Sequence, residues 1–293
     1  MLIQLLANGL VNGCLYALVA IGFALIYNTT KIFHVAHGAI YTVGAYICYF
    51  FMVEKGWPLA VAVGIAVGCS GLLGALVEAW IYAPLARRGA PLLVSLLSSL
   101  GLYVALVNVI AMFFGNQTRV LWPGVQRTYS IVGVTLTRPQ FWQVAAAAII
   151  VPGLVLFLKF TNWGRIIRAV RDNPTLAMVM GINQESVRLW VFVVGSAVTA
   201  LASILVALDV GVDPNVGMPM LLTAAVALIV GGVGTFEGPV VGGFILGVLQ
   251  GLVVWEISAR WMDAVTFGVL IVFLLFRPWG LAGRRRRIEE TLE

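Results

Sequence analysis

Apolar residues run almost unbroken from Leu2 to about Tyr27, and the chain repeats the theme: long oily stretches separated by short polar breaks. About 20 consecutive apolar residues cross a bilayer as an α-helix. That criterion predicts spans at about 3–27, 36–53, 59–79, 92–114, 140–158, 187–208, 218–235, 239–257 and 263–276. Several of these are short or rich in glycine, so half-helices are expected among them and the count is eight or nine. Period-2 alternation, the sign of a membrane barrel, is absent. The fold class is therefore all-α, a polytopic helical membrane protein of about 8–9 transmembrane helices. A weak two-half repeat is also expected. The stretches 37–51 and 216–232 each open after a polar break, and each follows a similar apolar run.

Composition agrees. The 293 residues are 61% hydrophobic and 10% charged, with a mean hydropathy of +1.02. A soluble domain carries roughly 25% charge, so this chain cannot cover a water-facing surface. It is read as a single transmembrane domain over 1–293. The first apolar run has no charged segment before it and is too long for a signal peptide core, so it reads as the first span. Cys14, Cys48 and Cys69 lie far apart in apolar runs with no CxxC pattern. Three small buried thiols are expected, not a disulfide framework or a metal site.

Charge sets direction. Basic residues concentrate on cytoplasmic loops. Placing residues 159–188 and the tail 281–293 inside puts 13 of the 18 basic residues inside, including Lys31, Arg87, Arg88, Arg277 and Arg284 to Arg287. Lys55, Arg119, Arg127, Arg138 and Arg260 fall outside. Nine spans then give an outer N-terminus and an inner C-terminus. Eight of the nine tryptophans lie near span ends, as expected of a ring that is part wet and part oily. The net charge of +6 is a topology signal, because no basic soluble domain exists to bind nucleic acid.

One segment departs from the oily background. "TNWGRIIRAVRDNPTLAMVMGINQESVRLW" (161–190) holds four arginines. Arg165, Arg168 and Arg171 fall on one drifting helical face. Asn173 followed by Pro174 is a stop and a restart, since Asn caps helix N-termini and Pro suits the first turn. A short helix "PTLAMVM" should end at Gly181, a residue suited to a left-handed C-cap. Asn183 then caps the next helix. A helix of about two turns between charged flanks is either a loop held to the lipid surface or an element gripped by a soluble partner.

Catalytic patterns are missing. There is no GxxxxGK[ST] loop and no Gly-Lys pair anywhere. The glycine-rich "GGVGTFEGPVVGG" (231–243) does not fit GxGxxG. Gly234, Gly238 and Gly242, and also Gly243, Gly247 and Gly251, repeat every four residues, which predicts close helix packing. No Ser-His-Asp, HExxH or paired-carboxylate arrangement occurs. His34 and His37 have no neighbouring ligand to complete a metal site, so structural or pore-lining roles are expected. The chain is not expected to be an enzyme or to carry a cofactor or metal of its own. Transport fits better.

Ser99 and Gln250 are uncharged polar groups within spans, and so are Asn8, Asn12, Ser95, Ser98, Asn108 and Thr223. With His34 and His37 the latter are the candidate pathway, although interhelical hydrogen bonding explains each equally well. Glu78, Asp209, Asp213, Glu237 and Glu256 fall near span ends, where solvation is cheap, so no buried proton relay is expected. The outer loop, about 115–138, carries arginines and no acidic residue. Arg119 and Arg127 are candidates for docking the acidic rim of a soluble receptor.

The stretches "NGLVNGCLYALVAIGFALIYNTTKIFHVAHGAIYTVGAY", "GRIIRAVRDNPTLAMVMGI" and "LIVGGVGTFEGPVVGGFILGVLQGL" resemble the LivH-type permease subunits of branched-chain amino-acid ABC importers. The resemblance runs from about residue 8 to about residue 280. It implies a bacterial inner-membrane subunit paired with a second, related permease. Two cytoplasmic ATPases would bind ATP and Mg, and a periplasmic solute-binding protein would deliver the solute. The coupling loop, about 159–188, would centre on Gly164, Arg165, Arg168, Arg171, Asp172, Asn173, Pro174, Ala177 and Gly181. His34 stands where such permeases commonly have asparagine, Ala39 where an acidic residue is common, and Thr223 lies near a position that is commonly basic. The solute class thus stays open to urea, short amides or other small amino acids. A self-sufficient channel or secondary carrier remains the alternative.

Overall fold

The protein is described from a computed structural model covering residues 2–122, 124, 126–131 and 133–283. Basic tail residues 284–293 lie outside the described residues. Eight described helices are long and apolar enough to cross a membrane. They are α1 (Leu2–Thr30), α2 (Ala36–Tyr49, running on through a π-helical turn to Glu54) and α3 (Leu59–Val77). A π-helical turn carries α3 into α4 (Ala83–Arg87). Next come α5 (Leu92–Phe114), α6 (Arg138–Phe160) and, after the loop helices α7 (Asn162–Asp172) and α8 (Pro174–Val179), α9 (Gln184–Val210). The short α10 (Gly217–Gly231) precedes α11 (Gly238–Glu256) and α12 (Met262–Phe276).

Helix α1 occupies the centre. Every residue from Gly13 to Ile26 is buried, against α9, α10 and α11. Its contact with α11 is made by glycine. A Cβ on Gly247 would lie 2.4 Å from the Gly13 nitrogen and from the Gly9 carbonyl oxygen. One on Gly243 would lie 2.6 Å from the Ala17 nitrogen, and one on Gly251 2.8 Å from the Leu5 carbonyl oxygen. Backbone-to-backbone approach of this kind is what small residues at four-residue spacing permit in lipid. Gly238 and Gly242 likewise face Gly231 and Ala227 of α10. Gly234 does not share this role. It has open space around it and a φ of +90°, so it is a turn glycine. A Gly247→Leu variant should lower stability by about 3 kcal/mol through overpacking, read as a lower thermal midpoint of the purified chain.

Helix α1 joins opposite faces of the bundle. Gln4, at the start of α1, bonds the backbone of Thr135 in the loop before α6. Asn28, near its end, donates to the Thr235 carbonyl (2.7 Å) and accepts from the Gly234 N–H (2.9 Å) at the other face. The chain turns at Lys31 (φ +60°) and returns into the membrane as the non-helical stretch 31–35. Helix α2 therefore starts in the interior, where His37 meets Thr199 of α9. Helix α10 starts beside it, a Cβ on Gly38 lying 2.7 Å from the Gly217 carbonyl oxygen. At 15 residues, α10 spans only about 22 Å, and 211–216 completes that crossing. The short α10 is the half-helix expected among the spans. Helices α2 and α10 begin side by side and leave in opposite directions.

Other expectations need correction. Helix α3 runs on through Tyr82 to Arg87 rather than stopping near 79. Cys69 is exposed on the membrane face, whereas Cys14 and Cys48 are buried. Glu78 is not solvated at a span end. It is 2% exposed and paired with Arg188. The loop 115–138 also contains a β-hairpin, β1 (Thr128–Ile131) against β2 (Val134–Thr137), antiparallel with Thr128 opposite Thr137. Thr137 then caps α6 with Gln140 as a reciprocal box. The eight span-end tryptophans expected at the membrane surface (57, 80, 142, 163, 190, 255, 261 and 279) are all exposed. That fits headgroup-level anchors and not core fillers.

Candidate functional site

The basic face carries the island in the form its caps dictate. Thr161 accepts from the Gly164 N–H (3.0 Å) and starts α7. A Cβ on Gly164 would lie 2.2 Å from the Leu158 carbonyl oxygen, so only glycine allows the sharp corner from α6. Asn173 caps α8 through the Leu176 N–H (2.9 Å), with Pro174 in its first turn. At the other end Gly181 has φ +80°. The Ile182 N–H bonds the Ala177 carbonyl and the Gly181 N–H bonds that of Met178, the paired pattern that ends helices at a left-handed residue. Asn183 caps α9 through the Ser186 N–H (3.2 Å).

Between these caps, Ala177 alone of α8 is buried. Leu176, Met178, Val179 and Met180 are 58%, 60%, 77% and 75% exposed. Four neighbouring apolar side chains thus stand free at the tip of a rigidly capped turn. The short helix is the element expected from sequence, but its four exposed apolar residues are not among the sequence candidates. The signal lay in "LAMVM", which is too apolar for a solvated loop. Asn173→Ala should remove about 1 kcal/mol from α8, seen as roughly fivefold faster amide exchange at Leu176 and Ala177.

The arginines divide by contact. Arg168 donates to the Leu158 carbonyl at the end of α6, an acceptor left open by the helix terminus. Arg171 pairs with Asp172 (2.8 Å) and lies over the Phe236 ring, 5.2 Å from its centre. Both tie the island to the bundle. Arg165 stays exposed, bonded to Asn162 of its own helix. Two further ion pairs anchor the first turn of α9. Arg87 forks onto Glu185 (2.8 and 2.7 Å) at the surface. Arg188 reaches the buried Glu78 at 2.7 Å. The α8 tip is thereby linked through α7 to the 232–237 turn and α1, and through α9 to α3.

A second polar group lies in the interior, at the α1–α2 break. The His34 Nδ1 is 2.8 Å from the Tyr82 hydroxyl and 3.4 Å from the Ser99 hydroxyl. The Ser99 hydroxyl also accepts from the Ala36 N–H (2.9 Å). The His37 Nε2 is 2.7 Å from the Thr199 hydroxyl, and the two imidazoles lie 5.7 Å apart. Each ring keeps one nitrogen without a partner among the described residues. The structure therefore brings His34 and His37 together with Ser99, one of the polar residues expected within spans, and with Tyr82 and Thr199, which the sequence did not single out.

The other candidate pathway residues do not join them. Asn8 accepts from Gln4 near the outer end of α1. Asn12 is half-buried further along that helix. Ser95 is buried and Ser98 half-buried, both on α5. Asn108 is exposed and bonds back to Val104. Thr223 bonds back to Pro219 within α10. In the loop between α5 and α6, the Arg119 guanidinium donates twice to the Phe114 carbonyl at the end of α5, while Arg127 is exposed. The two arginines thus have different surroundings.

Residues 5–275 match the family described as branched-chain amino acid transport system / permease component. The chain is 31% identical over 296 residues to the high-affinity branched-chain amino acid transport system permease protein BraD of Pseudomonas aeruginosa, covering 96% of each. It is 30% identical over 300 residues to the corresponding permease protein LivH of Escherichia coli K12, again covering 96% of each. A more distant relative is the autoinducer 2 import system permease protein LsrC of Photorhabdus luminescens. It is 28% identical over 273 residues, which cover 88% of this chain and 77% of LsrC.

Proposed function

The chain belongs to the branched-chain amino acid transport system / permease component family, and from that premise we propose that its α8 tip receives the stroke of an ATPase. The protein is a multi-pass inner-membrane permease subunit of a transport complex. Its solute is a branched-chain amino acid, as the names of BraD and LivH indicate for those relatives. ATP and Mg belong to two cytoplasmic ATPase subunits, and a solute-binding protein meets the outer loops about 115–138. A second, related permease completes the membrane part.

One observation carries the coupling reading. Four apolar side chains stand exposed on a helix held at both ends by caps, on the basic face. An exposed apolar cluster rimmed by polar residues marks a protein contact. Leu176, Met178, Val179 and Met180 enter a groove on the ATPase. Gly164, Asn173, Pro174 and Gly181 give α8 its position, and Ala177 packs it onto the bundle. Arg168, Arg171 and Asp172 hold the corner, which leaves Arg165 free to meet the partner.

Closure of the ATPases displaces α8. The motion passes through α7 and Phe236 to the 232–237 turn, and through Glu185 and Arg188 to α3. Helices α2 and α10 start in the interior and meet at Gly38 and Gly217, so they are the elements whose tilt opens one side and closes the other. His34 and His37 lie at that break, where unpartnered imidazole nitrogens face the interior. Other members of the proposed pathway are Asn8, Asn12, Ser95, Ser98, Asn108 and Thr223, reached from the interface with the second permease.

The test is to purify the intact complex, identify its subunits, and assay uptake of a labelled amino-acid panel with and without ATP. ATP-dependent uptake of leucine, isoleucine and valine is expected. Flux through the purified chain alone would make it a channel or carrier.

A further inference from the structure

We infer that the outer end of α6 holds an anionic phospholipid, its phosphate on Arg127 and Arg138 and one acyl chain in the groove between α3, α6 and α9. Two adjoining cavities support this. The first, of about 680 Å³, is bounded by the β-hairpin and the start of α6, and Arg127, Arg138, Tyr129 and Trp142 line it. The second, of about 510 Å³, is apolar and runs down the membrane face. Arg138 and Trp142 line both, so the two spaces adjoin at the arginine.

Shape and charge fit one occupant. No carboxylate lines either cavity. Arg138 is the first residue of α6, where the helix dipole adds positive potential. It lies over the Trp122 ring, 5.0 Å from its centre, which holds the guanidinium at headgroup level. Arg127 is exposed, and its carbonyl accepts from the Arg138 N–H (3.0 Å). The strand pairing that follows keeps the two arginines at one end of the hairpin. Two guanidinium groups suit the oxygens of a phosphodiester.

The groove extends along α6 from Arg138 to Ile149, about 16 Å at 1.5 Å per residue. That is close to half of the roughly 30 Å hydrocarbon core, the depth of an acyl chain in one leaflet. Ile149 is 72% exposed at the deep end. A receptor on the outer face cannot reach that depth, and a soluble phosphate has no use for the apolar part.

Native mass spectrometry of the purified full-length chain, titrated with phosphatidylglycerol or phosphatidylcholine, tests the assignment. The wild type should retain one phosphatidylglycerol in preference to phosphatidylcholine. Arg127→Gln should weaken phosphatidylglycerol retention about fivefold, since one basic residue near an anionic surface contributes about 1 kcal/mol, and leave phosphatidylcholine unchanged. Ile149→Trp, which fills the groove without touching the arginines, should reduce retention of both. Three results would overturn the assignment: equal retention of the two lipids by the wild type, no loss in Arg127→Gln, or a second copy of the chain in place of lipid. If Arg127→Gln instead lowers only receptor-dependent uptake, the arginine serves protein docking and the lipid site does not exist.

Discussion

Val179→Glu combined with Met180→Glu should abolish ATP-driven uptake, by at least about tenfold, while the chain still inserts and folds. Both side chains are about three-quarters exposed, and neither contributes to the core clusters of the bundle. Their replacement therefore costs the isolated subunit little. In the ATPase groove proposed for α8 the same two carboxylates must be desolvated. Removing even one central apolar anchor from an interface commonly costs 2 kcal/mol or more, and 1.4 kcal/mol is already tenfold in affinity. Co-purification of the ATPase measures the loss directly. The conservative pair Val179→Ile and Met180→Leu should retain transport, because shape and apolarity persist.

Arg188→Met should be strongly destabilising. Glu78 is 2% exposed and its salt-bridge partner is Arg188. Loss of one member of a buried pair leaves an uncompensated charge and typically costs about 3–5 kcal/mol. Expression and thermal midpoint of the purified chain should both fall. The double variant Glu78→Gln with Arg188→Met should recover most of the loss, since replacing a whole buried pair by uncharged groups is often neutral. The nearby Arg87–Glu185 pair is exposed, so Arg87→Gln should barely change stability even though its geometry is bidentate. A stable Arg188→Met single variant would mean that the pair does not join α3 to α9.

The island shows how far local rules reach. Asn173, Pro174, Gly181 and Asn183 each play the capping part their residue type suggests, because caps depend on two or three adjacent residues. The spans were legible for a similar reason: hydropathy over about 20 residues is a local sum. Contacts made by distant residues were not legible. Glu78 lies within one residue of the expected end of its span, and nothing local shows that Arg188 folds onto it 110 positions later. The glycine series looked uniform, yet Gly247 is backed by Gly13 while Gly234 faces open space with a positive φ. The same four-residue spacing thus serves packing in one case and a turn in the other.

Among the polar candidates, His34 and His37 were singled out on chain position alone. Their meeting with Tyr82, Ser99 and Thr199 depends on the non-helical return after Lys31, which brings α2 into the interior. Hydropathy registers 36–53 as an ordinary span and cannot show where that span begins in depth. The uncharged residues Asn8, Asn108 and Thr223 look alike in sequence, yet each is bonded within its own helix.

Uptake of labelled leucine into proteoliposomes bearing the complete complex, with ATP supplied to the ATPase side, tests the coupling role of α8 most directly. Wild-type vesicles should accumulate leucine only with ATP. Vesicles with the Val179→Glu, Met180→Glu chain should retain the permease but accumulate none. Undiminished ATP-driven accumulation in that variant, or accumulation by the wild-type chain without ATP, would contradict the account.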